Sequence, residues 1–159
     1  MNEVSGSIGF AVIVLLYISI GVLAAVGSAT LTRKLLSPRW EQVFYAGFLT
    51  VIAGFYLAFA AYFKAADSWQ LERLAVMLFA AFAVFGTRLS SALIFGYLLH
   101  GSWDLLHELQ AHGAVSVLES GQATPIPLAY GAFCATFDLV IAAYFYSRRA
   151  DWAASWKQV

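Results

Sequence analysis

Long uncharged apolar runs, separated by short polar breaks, dominate the chain. A hydrocarbon core of about 30 Å takes roughly 20 apolar residues per helix, and the pattern supplies five such stretches. The first covers about 8–27 and the second about 43–63, neither with a charged residue. Between Leu74 and His107 the apolar pattern is too long for one span. It breaks at Gly86, Thr87 and Arg88, so two helices are predicted there, about 69–86 and 89–110. The last span covers about 127–146, with Pro127 as a favoured first-turn residue. The predicted fold is therefore all-α, a polytopic transmembrane bundle of five helices in one domain over residues 1–159.

Positive charge supplies a test of that count, because Lys and Arg concentrate in short cytoplasmic loops. With five helices, Arg33, Lys34, Arg39, Arg88, Arg148, Arg149 and Lys157 share one side and only Lys64 and Arg73 lie on the other. This puts the N-terminus outside, the C-terminus in the cytoplasm and the loop from about Gln110 to Ile126 outside. Glu3 is the only charge before Arg33, so the basic start of a cleavable leader is missing and the first segment reads as a true span. Trp40, Trp69, Trp152 and Trp156 sit near span ends, where interfacial indoles are expected. The outer loop, with Gly113, Ser116, Ser120, Gly121 and Thr124, reads as polar turn material. The tail from Ala150 reads as a short amphipathic interfacial piece. Gly21, Ala24 and Gly27 on the first helix, and Gly47, Ala53, Gly54, Ala58 and Ala61 on the second, read as sites of close helix approach.

Composition agrees with a lipid solvent. Hydrophobic residues make up 62% of the 159 and mean hydropathy is +0.77, while charged residues are only 11% against about 25% in soluble domains. Nine basic and nine acidic residues cancel, which excludes a nucleic-acid binder built on a basic face. Cys134 is the single cysteine, so an intrachain disulfide is excluded. The expected setting is the inner membrane of a bacterium, with the bilayer as the first partner and a second copy or a partner membrane subunit as further ones.

Ionisable side chains inside a span are costly and are functional candidates by default. They cluster in two places: His100-Gly-Ser-Trp-Asp104-Leu-Leu-His107-Glu108 on the fourth helix, and Tyr130-Gly-Ala-Phe-Cys134-Ala-Thr-Phe-Asp138 on the fifth. At 100° per residue, positions 100, 104 and 107 share one helical face, and 130, 134 and 138 form a stripe on the other helix. On antiparallel neighbours His100 and Asp138 lie at one depth, about 17 Å from the outer surface. Asp104 then matches Cys134, and His107 matches Tyr130.

Two imidazoles and one or two carboxylates suit zinc or iron with an open position for water. The metal ligands are then His100, Asp104, His107 and Asp138. Asp138 or Asp104 acts as ligand or general base, and Tyr130 donates to a developing oxyanion. The substrate is lipid-like, entering from the outer half of the bilayer, and the reaction is its hydrolysis or modification. Two other readings use the same residues: a structural network holding the bundle together, on its own or as an accessory subunit, and a proton or ion relay. Glu72 is a further candidate ligand, Glu108 a carboxylate that orients an imidazole, Arg88 a cytoplasmic anchor, His112 a solvated loop residue and Cys134 a small buried apolar residue. Haem is disfavoured because both mid-span histidines share one helix.

The set His100-Gly-x-Trp-Asp104-x-x-His107 followed by Pro127-x-x-Tyr130-x-x-x-Cys134-x-x-x-Asp138 resembles the signature of small bacterial membrane proteins grouped only as a domain of unknown function. That resemblance covers roughly the last 60 residues and implies a compact helical membrane protein. More distantly, an intramembrane His and Asp set is similar to that of alkaline ceramidase and adiponectin-receptor-like hydrolases. Those have seven helices and draw their zinc-binding histidines from separate helices, whereas His100 and His107 share one. The distant resemblance implies a reaction class, metal-assisted hydrolysis.

Overall fold

The structure, a computed structural model, describes residues 2–119 and 121–157. The side chains of residues 2–7, Glu3 among them, together with Ser120 and residues 158 and 159 of the tail, lie outside the described set. The described residues form five helices and no strand: α1 (Asn2–Leu35), α2 (Pro38–Tyr62), α3 (Trp69–Gly86), α4 (Ser90–Ala111) and α5 (Tyr130–Trp156). From Ile8 onward α1, and the whole of α2 and α3, are long and apolar enough to cross a membrane. At 22 and 27 residues, α4 and α5 match them in length and carry half of the buried polar and charged residues among those described.

Local chemistry sets the helix boundaries. Ser37 is extended and Pro38 opens α2, since proline fixes a helical φ but keeps its predecessor out of the helical region. The break expected at Gly86, Thr87 and Arg88 separates α3 from α4, with Leu89 extended before Ser90. Pro127 does not enter α5. Its carbonyl accepts the Tyr130 N–H at 3.1 Å, and Ala129 takes a left-handed φ of 58°, so the chain turns sharply and the helix begins three residues later than expected.

Two helices exceed the expected spans. α1 runs on at both ends of 8–27, and α5 continues ten residues beyond Tyr146. The tail is thus not a separate interfacial piece as far as Trp156. Trp152, expected at the interface, is completely buried; its indole packs on Phe145, with ring centroids 5.1 Å apart, and its N–H is taken by Glu41 at 2.8 Å. Trp40 and Trp69 are exposed as expected.

Helices α2 to α5 form a bundle in which α4 packs between α3 and α5, α3 packs against α2, and α2 meets α5 only loosely; α1 lies along α5 and barely touches α2. The tightest seam is α4 against α5. A Cβ on Gly131 would lie 2.4 Å from the Asp104 carbonyl oxygen and 2.8 Å from Glu108 Cβ, and one on Gly101 would lie 3.1 Å from Asp138 Cβ. Gly21 does the same for α1, where a Cβ would lie 2.7 Å from the Phe133 carbonyl oxygen. A Cβ on Gly27, Gly47 or Gly54, read from sequence as packing positions, would meet no atom of another element within 4 Å. Small residues mark close approach only on the face a helix turns to its neighbour, and period alone did not assign that face.

Gly131→Ala should therefore lower stability by about 3 kcal/mol through forced separation of α4 and α5, read as a drop in the thermal midpoint in detergent. Gly54→Ala should leave it unchanged or raise it by up to about 1 kcal/mol through helix propensity.

Candidate metal centre and buried polar clusters

The close seam carries the polar residues of α4 and α5 into contact. His100, Asp104 and Asp138 are all at most 1% exposed, and one ligand atom from each lies within 4.8 Å of the others. His100 Nδ1 is 2.6 Å from Asp138 Oδ2 and 3.1 Å from Asp104 Oδ2. On the other side Tyr56 of α2 donates its hydroxyl to Asp104 Oδ1 at 2.6 Å, fixing that carboxylate. Phe79 closes the site from α3, its ring edge-on to the imidazole at 4.8 Å. Three polar atoms here have no hydrogen-bond partner among the described residues: His100 Nε2, Asp104 Oδ2 and Asp138 Oδ1. Orphaned buried atoms are rare and costly.

Charge makes the group conspicuous. Two carboxylates against one imidazole leave the cluster negative unless a proton or a cation balances it, and burial makes that imbalance expensive. A divalent ion with a neutral imidazole would cancel both carboxylates. One histidine and two aspartates could also supply three protein ligands to such an ion, the number typical of catalytic rather than structural sites.

His107 lies outside this trio. Its Nδ1 is 3.0 Å from the Trp103 carbonyl oxygen and its Nε2 is 3.0 Å from Glu72 Oε1 on α3. A carbonyl can only accept, so Nδ1 carries a proton, and Nε2 and Glu72 share one more. The pair is then neutral as a unit whichever partner holds that proton. Thr124, from the loop read as plain turn material, is buried and donates to Glu72 Oε1 at 2.7 Å. The Trp103 indole donates to Glu72 Oε2 at 3.3 Å. Glu108 accepts the Gly131 N–H at 2.9 Å and meets His112 Nε2 at 3.0 Å. It thereby caps the start of α5 and engages an imidazole. His112 is held by that contact and by Phe10, ring centroids 4.4 Å apart, rather than standing alone in a loop.

A third buried cluster ties α2 to the far end of α5. Glu41 is completely buried and accepts from Arg148 Nε and Nη2 at 3.1 and 3.0 Å, from Trp152, and from the Tyr144 hydroxyl. Glu41 was missed in the sequence because a lone carboxylate near a span end reads as interfacial. The available signal was its equal depth with Arg148, since α2 begins where α5 ends.

Tyr130 and Cys134 form part of the wall of an apolar cleft of about 320 Å³ between α2 and α5. Phe48, Phe55 and Phe59 line one side and Phe133 and Phe137 the other; Asp138 reaches the same cleft. The site thus borders a space suited to hydrocarbon.

Glu72→Ala should strand His107, Thr124 and Trp103 together and cost about 3 kcal/mol. In a double-mutant cycle with His107→Ala, measured by thermal denaturation, the two losses should fall well short of adding.

No curated protein and no solved structure matches the chain, so the resemblance to ceramidase and adiponectin-receptor-like hydrolases gains no relative to support it. The resemblance to a domain of unknown function holds over far more than the last 60 residues: residues 13–151 match the family of unknown function DUF6010, and the chain belongs to that family.

Proposed function

We propose that the protein is a metal-dependent enzyme of a bacterial cytoplasmic membrane, hydrolysing or otherwise modifying a lipid-like substrate. The observation that carries this reading is the buried His100, Asp104 and Asp138 trio, whose ligand atoms lie within 4.8 Å of one another beside an apolar cleft that Asp138 also lines. A divalent ion held by these three residues would polarise a water molecule for attack near neutral pH. Whichever aspartate is less engaged takes the proton as general base. The aromatic walls of the cleft hold a hydrocarbon chain and keep bulk water away, and Tyr130 donates to oxygen on which negative charge develops. His107 belongs to the supporting Glu72 pair in this reading and is not a ligand.

The proposed arrangement has five membrane crossings with the N-terminus outside. Its support is the positive-inside tendency: Arg39, Arg88 and Arg148 cluster around the Glu41 end of the bundle, with Arg33 and Lys34 in the last turn of α1, so that end is read as cytoplasmic, and only Lys64 and Arg73 stand at the opposite end.

Elemental analysis of the detergent-purified protein is the deciding experiment. About one divalent ion per chain is expected, lost in His100→Gln and in Asp138→Asn. Absence of stoichiometric metal, with a thermal midpoint indifferent to chelator, would overturn the enzyme reading. A proton relay draws on the Tyr56 link between Asp104 and the neighbourhood of His107, whose ring lies 4.6 Å from that of Tyr56. It predicts instead a pH-driven flux in metal-free liposomes that Asp138→Asn abolishes.

A further inference from the structure

The cleft between α2 and α5 is a narrow slot. On α2 its wall is Phe48, Ile52, Phe55 and Phe59, one residue per turn, and on α5 the rings of Phe133 and Phe137 line it. Aromatic pairs bridge the two helices at either end: Phe59 with Tyr130, ring centroids 4.9 Å apart, and Phe48 with Phe137, 5.9 Å apart. From Phe48 to Phe59 a helix rises about 16 Å. A volume of about 320 Å³ spread over that length leaves a cross-section of about 20 Å², which one hydrocarbon chain fills and two exceed, because nonbonded carbons stand about 4 Å apart.

Charge and depth restrict the occupant further. Among the described residues no Lys, Arg or His lines the slot, and Asp138 is its one carboxylate, so nothing there balances an anionic headgroup. Helix α4 runs from Ser90 to Ala111 with His100 midway, about 15 Å from either end, and Asp138 meets that histidine at 2.6 Å. A phospholipid that keeps its headgroup at the membrane surface keeps its ester bonds there too, far from the trio, and drawing a charged headgroup to that depth is costly. Hydrolysis at the trio needs a cleavable acyl bond, and an amide or a small ester carries one without charge. We infer that the slot takes a single-chain, uncharged fatty amide or ester whole, lying with its polar group toward Asp138. This rests on the metal-enzyme reading for the reacting end and narrows its lipid-like substrate to one class.

The test uses the full chain in phosphatidylcholine nanodiscs, photolabelled with a dodecanamide that carries a diazirine. Mass spectrometry reads the labelled peptides, and metal content is measured on the same samples. Labels should fall on α2 between Phe48 and Phe59 and on α5 between Tyr130 and Phe137, and excess plain dodecanamide should remove them. Lysophosphatidylglycerol of equal chain length, with one chain and a charged headgroup, should compete at least about tenfold less well. Didodecanoylglycerol, uncharged but with two chains, should compete as weakly. Phe55→Trp enlarges a wall residue that is 45% exposed and should lower labelling about tenfold by filling the slot. Leu23→Trp, an enlargement on α1 outside the slot, should leave labelling unchanged. Equal competition by lysophosphatidylglycerol would show that a headgroup is accommodated, and equal competition by didodecanoylglycerol that two chains are. Either overturns the proposal, as does labelling spread over all helices or indifferent to Phe55→Trp. If that variant fails to fold, the competition series on the unaltered chain decides. Bound metal together with either equal competition defeats this proposal alone, whereas the expected labelling without bound metal supports the slot's selectivity and defeats the enzyme reading.

Discussion

The trio and the capped start of α5 depend on how closely α4 and α5 approach. Gly101 and Gly131 let the two backbones come near enough that Asp138 reaches His100 at 2.6 Å and Glu108 reaches the amide of Gly131 at 2.9 Å. Lipid offers no substitute for these partners, because hydrocarbon neither donates nor accepts. Separation of the two helices by the width of one methyl group would leave an aspartate, a histidine and a helix start without partners together. Packing and polar satisfaction are here one constraint.

Three buried clusters answer to that constraint differently. The Glu41 cluster is saturated, with four donor groups converging on one carboxylate. The Glu72 cluster is closed as well: His107, Trp103 and Thr124 all bond to it. Only the middle cluster keeps orphaned atoms on three residues. Glu41, Glu72 and Glu108 have partners on both carboxylate oxygens, whereas Asp104 and Asp138 each keep one oxygen without a hydrogen bond. The contrast favours assigning chemistry to the trio and support to the other two.

The sequence made the helix count readable, along with the break after Gly86 and the facing of His100 and Asp104 toward Asp138, because periodicity and depth both act along a single helix or between adjacent ones. His107 shares the face of His100 and Asp104, so period alone placed it with them. Its actual partner comes from α3, thirty-five positions earlier, and no helical spacing encodes that. Trp152 and Glu41 were hidden for the same reason, since each reads as an interfacial residue until the other is found. Gly54 failed in the opposite sense: a small residue was visible, but the side of α2 that faces a neighbour was not.

The cleft between α2 and α5 is bounded unequally. At one end Glu41 stitches the two helices together through Arg148, Tyr144 and Trp152, while toward Phe59 and Tyr130 their walls meet through aromatic edges, ring centroids 4.9 Å apart. Against α5, helix α2 is thus held by polar bonds at its Glu41 end alone among the described residues. Partway along, Tyr56 attaches it to Asp104. An occupant thick enough to part the helices there would pull on the tyrosine hydroxyl, so its girth would be felt at one carboxylate of the trio.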